Sequence, residues 1–401
     1  MIQNYLAFIR QPGVASMLLV ALLTRMPVGM VGFAMLMFLR EAFGNFALAG
    51  TAVGINFVAM AVAAPFQGRF VDRRGAKPLL RVTGVVQPLA LIAVLVSAHR
   101  GWGFAAVAAF AALAGAFATP ITTLTRTMWR HRFEREEDRR TAFALDAVTI
   151  EVNFTLGPAL IAVVLATAGA IAAFIVAIGA VVFAIVVFSL SPALRFFKRQ
   201  AHAERHLLGP LTEPRLLLVF TTTFGLTLCF GLLEVGYPAY ATALAFPALG
   251  GVLLAINSVG SALGGGLYGG LRFKAPVERQ YACAMGLMVV PVLLHAVLLD
   301  HFAPFAIVAF LAGALIAPSI AAQSVLVSRL APAKYATEAF TWSSTFIVSG
   351  LGAGMALGGA LVEHAGLRYA FLVGGAVVAM MSLLALAIPA RAPAAATRAA
   401  D

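Results

Sequence analysis

The sequence predicts an all-α integral membrane protein whose twelve transmembrane helices form two pseudo-symmetric bundles of six. Composition is the first reason, because 62% of the 401 residues are hydrophobic and only 11% are charged. Soluble domains average about 25% charged residues, so this composition disfavours a soluble enzyme, a nucleic-acid-binding protein and a disordered chain. The second reason is a series of long apolar runs, and the third is a repeat between the two halves of the chain.

Twelve apolar runs are long enough to cross a bilayer, which requires about 20 residues. The predicted spans, numbered 1 to 12 in chain order, are residues 15–39, 45–68, 77–98, 102–127, 141–166, 169–191, 214–240, 246–271, 280–299, 303–329, 338–363 and 367–389. They divide the chain into an N-terminal bundle over residues 1–192, a cytoplasmic linker over 193–213 and a C-terminal bundle over 214–401.

Basic residues lie almost entirely on one side of the predicted membrane. Of the 28 Lys and Arg residues, 24 fall in the termini or in and beside the loops that follow even-numbered spans. By the positive-inside rule, both termini of this multi-pass protein are expected in the cytoplasm, with the spans in the inner cell membrane. The asymmetry also accounts for the net charge of +12 without a nucleic-acid partner. Trp102, Trp129 and Trp342 fall near predicted span ends, as expected of interfacial anchors.

The two halves of the chain resemble each other without a gap over 36 positions. Residues 141–176 align with 338–373, so that Gly157 matches Gly354 and Gly169 matches Gly366. Chance similarity between alanine-rich helices is the alternative, but glycines that stay in step favour a duplication. Spans 5 and 11 are then equivalent, and the repeating unit is six helices in one orientation.

The loop after span 2 carries a motif in which two glycines and one acid stand among basic residues. Its members are Gly68, Asp72, Arg73, Gly75 and Lys77, with Ala76 where a basic residue is usual. The spacing resembles the signature of the major facilitator superfamily. The resemblance implies that the first Gly lets spans 2 and 11 approach and that the Asp faces the positive end of span 11. It also implies that the basic residues lock the cytoplasmic side in the outward-open state, while the second Gly gives a tight turn.

Ionised residues inside the spans are the first candidates for a functional site, because a charge at the bilayer centre costs about 2.5–3.5 kcal/mol or more. Arg25 lies near mid-membrane in span 1, and the resemblance implies that spans 1, 4, 7 and 10 line a central cavity. Arg25 is therefore expected to bind an anionic substrate group or to set the protonation of a carboxylate. A structural ion pair between helices is the alternative.

Span 5 contains Glu151 and Asn153 near mid-depth, with Asp146 closer to the cytoplasm. On a helix Asp146 and Asn153 are about 20° apart, whereas the two acids are about 140° apart and are expected to have different surroundings. Glu151 is expected to carry a proton, or alternatively to be a static partner of the arginine in span 1. Asp146 is expected to be structural, paired with Arg126 or Arg140.

Three weaker signals complete the candidate site. Glu234, towards the outer end of span 7, is expected to gate the outer mouth or accept a proton, with placement at the membrane interface as the alternative. The same resemblance implies that Gln323 in span 10 belongs to an apolar cavity lining with sparse polar groups, which suits an amphipathic solute. Gly157 and Pro158 resemble the Gly-Pro centre of the span-5 motif in bacterial drug and metabolite:proton antiporters.

Glycines at four-residue spacing predict close helix contacts in spans 8 and 11. They are Gly260, Gly264, Gly265 and Gly269 in span 8, and Gly350, Gly354 and Gly358 in span 11. The resemblance implies that spans 2 and 11, and spans 5 and 8, join the two bundles. The bundles are therefore expected to rock along these glycine faces.

These features predict a secondary transporter, not an enzyme, that exports a drug-like or metabolic compound against protons by alternating access. Proton-coupled uptake of a small nutrient is the alternative within transport, and a non-transporting membrane sensor or a lipid scramblase is the alternative outside it. The expected partners are a small-molecule substrate, protons and the lipid bilayer, with the chain as a monomer. Without a phosphate-binding loop, a nucleophile or a metal-binding constellation, neither a cofactor nor a metal is expected.

Overall fold

The computed structural model describes residues 8–133, 135–191, 209–271, 273–332 and 336–389, and these ranges contain helices without strands. The linker prediction falls mostly on residues 192–208, outside the described part. The helices are α1 Val14–Phe43, α2 Phe46–Arg74, α3 Ala76–His99, α4 Phe104–Ala116, α5 Ile121–Arg132, α6 Glu136–Leu190, α7 Pro214–Ala243, α8 Leu249–Gly270, α9 Val277–His295, α10 Phe302–Ala314, α11 Ile316–Leu330, α12 Ala336–His364 and α13 Leu367–Ala385, with a 3-10 turn at Gly209–Thr212.

Eleven segments of the described chain are long and apolar enough to cross a membrane, and one of them holds two crossings. That segment, Thr141–Leu190, has 50 residues, whereas about 20 residues suffice for one crossing. Its helix α6 is interrupted at Gly169, where φ is 83° and ψ is 177°, a conformation that favours glycine. Gly366, the predicted equivalent, has φ 102° and ψ 156° between spans 11 and 12. The described chain therefore has twelve spans, and the matching turns support the repeat.

Spans 4 and 10 are each divided into two helices, a feature that the apolar runs did not indicate. Span 4 consists of α4 and α5, and span 10 consists of α10 and α11. Both α4 and α10 have 13 residues, of which eight are identical between the two helices. Pro120 and Pro318 stand at equivalent places beside the start of each second helix. Because proline lacks the N–H that a continuous helix needs, both breaks have the same cause.

Two helix crossings are common to both halves. In the first, the Asn56 side chain donates to the backbone of span 4 at 2.9 Å, and the Asn257 side chain donates to the backbone of span 10 at 2.9 Å. Gly115 and Gly313 lie beside them, and a Cβ on either glycine would overlap the neighbouring asparagine backbone. The N-terminal and C-terminal halves therefore pack spans 2 and 4, and spans 8 and 10, in the same way.

The second shared crossing joins the first and fifth spans of each half. Gly157 in span 5 packs on Gly29 in span 1, and Gly354 in span 11 packs on Gly231 in span 7. Small residues allow the two backbones to touch directly. Because Gly157 and Gly354 are also equivalent in sequence, the repeat extends to the packing that holds each half together.

The glycines predicted to let the halves slide lie instead inside the C-terminal half. Gly260 and Gly264 pack on the backbone of span 10, and Gly350 and Gly354 pack on span 7. The prediction that they form the surface between the halves is therefore wrong for these four glycines. A four-residue spacing indicates a close helix contact, but it does not identify the neighbour.

Spans 2 and 11 join the two halves through a different set of glycines. Gly50 lies against Gly359, and Gly54 lies against Gly352 about one turn deeper. These contacts lie towards the side of the molecule opposite the loop between spans 2 and 3. We call the side of that loop the arginine-rich side and the other the opposite side.

Spans 5 and 8 form the second junction between the halves. Gly251 lies so close to span 5 that a Cβ there would meet the Pro158 carbonyl oxygen. Nearer mid-membrane, the Ser258 hydroxyl donates to the Phe154 carbonyl oxygen at 3.0 Å. Both junctions thus lie at mid-membrane or towards the opposite side.

Candidate functional site

The loop that carries the signature motif is a one-residue turn. Gly75 alone separates α2 from α3 and has φ 87°, which favours glycine and fits the tight turn implied by the resemblance. Arg73 and Lys77 are exposed, and the Asp72 side chain lies outside the described part. Apart from its chain neighbours and its own helix backbone, no described atom lies within 4 Å of the place that a Cβ on Gly68 would occupy. Spans 2 and 11 therefore do not approach at Gly68 in this conformation.

The conformation is closed at the opposite side. The resemblance implies that spans 2 and 11 approach at Gly68, whereas here they meet through Gly50 and Gly359. The chain therefore holds the arrangement in which the opposite side is shut.

A carboxylate joins the two halves at the closed side. Glu363, near the end of span 11, accepts a hydrogen bond through Oε2 from the backbone N–H of Phe46 at 2.9 Å. Phe46 is the first residue of α2, and Asn45 caps the same helix by accepting from the Leu48 N–H at 2.9 Å. A negative group at a helix N-terminus is stabilising by about 0.3–1 kcal/mol. We call the Glu363–Phe46 contact the outer latch.

Arg25 forms a buried ion pair with Asp146. Arg25 Nη1 lies 2.7 Å from Asp146 Oδ1, and the two side chains are 1% and 0% exposed. Nη1 also donates to Thr149 Oγ1 at 2.9 Å, and that hydroxyl donates to the Asp146 carbonyl oxygen at 2.7 Å. The interpretation of Arg25 as part of a structural ion pair fits this geometry. The alternative that Glu151 is the static partner of Arg25 is wrong.

Asp146 has two further partners, both in span 4. Trp129 Nε1 donates to Oδ1 at 3.1 Å, and Arg126 Nε lies 3.4 Å from Oδ2. The predicted pairing with Arg126 is confirmed, and the Arg140 side chain lies outside the described part. Trp129 is fully buried, so the prediction that it anchors the chain at the membrane interface is wrong. Three donors thus offset the cost of burying this carboxylate.

Glu151 lies in surroundings different from those of Asp146, as their separation around the helix predicted. It is half-buried, and the Ser261 hydroxyl in span 8 lies beside its carboxyl group. The ion pairs found among the described residues both involve Asp146, and none involves Glu151. Glu151 is therefore an acid at the junction of the halves with a neutral partner.

Asn153, Gly157 and Pro158 lie where spans 1, 5 and 8 meet. The Asn153 and Pro158 atoms contact Gly29 in span 1, and Pro158 also contacts Gly251 in span 8. Asn153 is buried, and neither atom of its side-chain amide has a hydrogen-bond partner among the described residues. A buried amide without a hydrogen-bond partner is rare, and this one lies where the two halves meet.

Glu234 and Gln323 lie apart from this cluster. Glu234 is half-buried in span 7, and no described cation forms an ion pair with it. Gln323 is fully buried and its Nε2 donates to Ser343 Oγ in span 11 at 2.8 Å. The Gln323 Nε2 is thus engaged between helices, Oε1 has no hydrogen-bond partner among the described residues, and the buried amide is not open to a cavity.

A large groove in the described chain is apolar, and the described His, Cys, Asp and Glu residues do not form a metal site. A groove of about 650 Å³ between spans 2, 4 and 11 is lined almost wholly by apolar side chains, without the convergent polar groups that orient a ligand. Within the described ranges, no group of three or more His, Cys, Asp or Glu residues is placed to hold a metal ion.

The chain matches the family model described as Major Facilitator Superfamily over residues 17–299, and no curated protein matches it. A bacterial homologue of the iron transporter ferroportin, in the outward-facing state, has 16% identity and a TM-score of 0.65, over 93% of this chain and 98% of that one. A mutant of the nucleoside transporter NupG has 12% identity and a TM-score of 0.69, over 93% and 99%. At such identities the likeness shows the fold. The chain therefore belongs to the major facilitator superfamily and is a membrane transporter, not an enzyme.

Proposed function

We propose that the protein exports a small amphipathic solute across the inner membrane in exchange for protons, by alternating access, with both termini in the cytoplasm. The observation that carries the proton coupling is the position of Glu151. Its carboxyl group lies within the membrane, at the junction of spans 5 and 8, beside a hydroxyl group and not a cation.

An ionised carboxylate without a cation is costly in an apolar environment. Protonation removes that cost while spans 5 and 8 are together, and separation of the spans admits water that favours release of the proton. The proton occupancy of Glu151 then depends on which side of the protein is open. Such dependence is what couples a proton gradient to a conformational cycle.

The packing supports two rigid halves that rock about their junction. Inside each half, backbones touch at Gly29 and Gly157 and at Gly231 and Gly354, which resists internal rearrangement. Between the halves, the closed side is held by small residues and by the outer latch. We propose that residues 1–192 and 214–401 move as these two bodies, joined by the linker over residues 193–213.

The export direction rests on the residues where spans 1, 5 and 8 meet. Gly157 and Pro158 resemble the Gly-Pro centre of the antiporter motif, and Asn153 stands one turn before them. Pro158 removes one backbone hydrogen bond from span 5, so the helix can bend at the place where the halves separate.

The test uses purified protein in liposomes that enclose a pH-sensitive dye. A panel of amphipathic compounds is first screened by thermal shift, and the strongest binder is then added to vesicles with a pH gradient. We expect Glu151→Gln to abolish solute-driven proton movement while the thermal shift by the same solute persists. Ser261→Ala, which keeps the acid, is the matched control and should retain proton movement.

Each outcome has a defined meaning. Unchanged proton movement in Glu151→Gln contradicts the role of this residue. Protons that move in the same direction as the solute contradict export by antiport and indicate symport instead.

A further inference from the structure

The charges around Asp146 do not balance. Arg25 and Arg126 both lie within ion-pair distance of one carboxylate, at 2.7 and 3.4 Å. The ion pairs of the described residues bring no second acid to this group. The three side chains therefore carry a net charge of about +1 at neutral pH.

The excess positive charge is accessible only at Arg126. Arg25 is 1% exposed and Asp146 is 0% exposed, whereas the Arg126 side chain is 55% exposed. Arg126 is joined to Asp146 through Nε alone, so the two terminal nitrogens of its guanidinium group remain able to donate. A planar guanidinium with free donors is suited to bidentate contact with a carboxylate or phosphate.

Arg126 lies on the polar face of α5. Thr123 is exposed on the same face, one turn away, whereas Leu124 and Met128 are buried on the other face against the N-terminal bundle. This polar, exposed face stands at the arginine-rich end of span 4, where it is expected to meet water and not lipid. In the resemblance stated above, span 4 lines the central cavity.

We propose that Arg126 binds an anionic group, a carboxylate or phosphate, on the transported solute. This inference rests on the proposed transport function and names the chemical class of its substrate. The anion replaces Asp146 as the partner of Arg126, and Asp146 keeps Arg25 and Trp129, so the buried pair stays intact. The sequence predicted this role for Arg25, but in the structure the Arg25 side chain is buried and the Arg126 side chain is exposed.

The test measures binding to purified protein in nanodiscs of neutral phosphatidylcholine. Naphthalene-2-carboxylate is compared with naphthalene-2-carboxamide and 2-naphthylmethylamine, which share the ring but not the negative charge. A charge-assisted hydrogen bond gained by the anion predicts binding about tenfold tighter than that of the amide. Arg126→Gln should remove this preference, and Arg126→Lys should retain part of it.

The matched control is Arg329→Gln, which removes an exposed arginine from span 10 and should leave the preference unchanged. Trp129, which donates to Asp146, provides an independent signal in a Trp102→Phe, Trp342→Phe background. Its fluorescence should change with the carboxylate and not with the amide. Equal binding of carboxylate and amide, or an unchanged preference in Arg126→Gln, would overturn the proposal.

A lipid headgroup offers the same anionic chemistry, and a second set of nanodiscs containing phosphatidylglycerol separates the two sources. If this lipid raises the melting temperature of the wild type but not of Arg126→Gln, and the naphthoate does not bind, the solute assignment is overturned. Glu151→Gln should keep the naphthoate preference. Proton coupling through Glu151 and anion binding at Arg126 are therefore tested in separate experiments, and either proposal can be contradicted without the other.

Discussion

The two halves of this protein share a framework but differ in the chemistry that it holds. The sequence repeat places Ser343 of span 11 where span 5 has Asp146. Each of these residues is buried and is bound by a side chain from the fourth span of its own half, Arg126 in one case and Gln323 in the other. The N-terminal half thus holds an ionic cluster at a place where the C-terminal half holds a neutral hydrogen bond.

The difference shows which property the two halves share and which they do not. The glycine crossings and the asparagine contacts to spans 4 and 10 are alike in both halves, because they set the distance between backbones. The polar groups between those backbones are unlike. Framework and chemistry are therefore separable, and three comparisons between equivalent residues test that separation.

The largest effect is expected when the ionic cluster is broken. Asp146→Asn leaves Arg25 buried without a countercharge, and loss of one partner of a buried ion pair costs about 3–5 kcal/mol. The equivalent change, Ser343→Ala, removes one neutral hydrogen bond and should cost about 0.5–1.5 kcal/mol. Thermal unfolding in detergent measures both.

A rescue variant makes the first prediction specific. Arg25→Met combined with Asp146→Leu removes both charges, and replacement of a buried pair by apolar residues is often close to neutral. The double variant should therefore recover most of the stability that Asp146→Asn loses. Equal losses in Asp146→Asn and Ser343→Ala would show that the two halves do not differ in the way the structure indicates.

The sequence predicted the features that depend on local properties of the chain. Apolar runs located the spans, and the spacing of the motif predicted the tight turn that Gly75 forms. The partner of Arg25 was not predicted, because helical spacing tells which residues share a face but not which helix that face meets. Trp129 was misplaced for the same reason: its position near a span end is local, whereas its burial against Asp146 comes from packing.

An effect of intermediate size is expected at the shared framework, where both halves should lose stability. Gly157→Ala places a Cβ about 3 Å from Gly29, and Gly354→Ala places one against the span 7 backbone. Overpacking of this kind costs about 1–3 kcal/mol. Both variants should lower the melting temperature, and Gly354→Ala more strongly, because its Cβ would overlap the Leu228 carbonyl oxygen.

Gly68→Ala is the control for this pair, because no described atom beyond its chain neighbours and its own helix backbone lies within 4 Å of its added Cβ. Its melting temperature should stay near that of the wild type. A large loss in only one of the two framework variants would break the equivalence of the crossings.

The smallest effect is expected at the outer latch, whose carboxylate comes from the C-terminal half. The repeat places Ala166 in span 5 where span 11 has Glu363, so a carboxylate caps the start of span 2 without a counterpart between spans 5 and 8. Glu363→Gln keeps the size of the side chain but removes the negative charge from the helix N-terminus. The expected loss of about 0.3–1 kcal/mol corresponds to a shift of about two- to fivefold in the population closed at the opposite side.

Spin labels measure that population, since Ala42 and Leu244 are exposed at the opposite side on different halves. Cysteines are introduced at both positions in a Cys283→Ser background, where Cys229 remains buried and unlabelled. Distances between the labels should lengthen in a larger fraction of Glu363→Gln molecules than of the wild type. Ala166→Gln is the matched control, because it introduces the same amide at the equivalent position and removes no latch. An unchanged distance distribution in Glu363→Gln would mean that the glycine contacts close this side without help from the carboxylate.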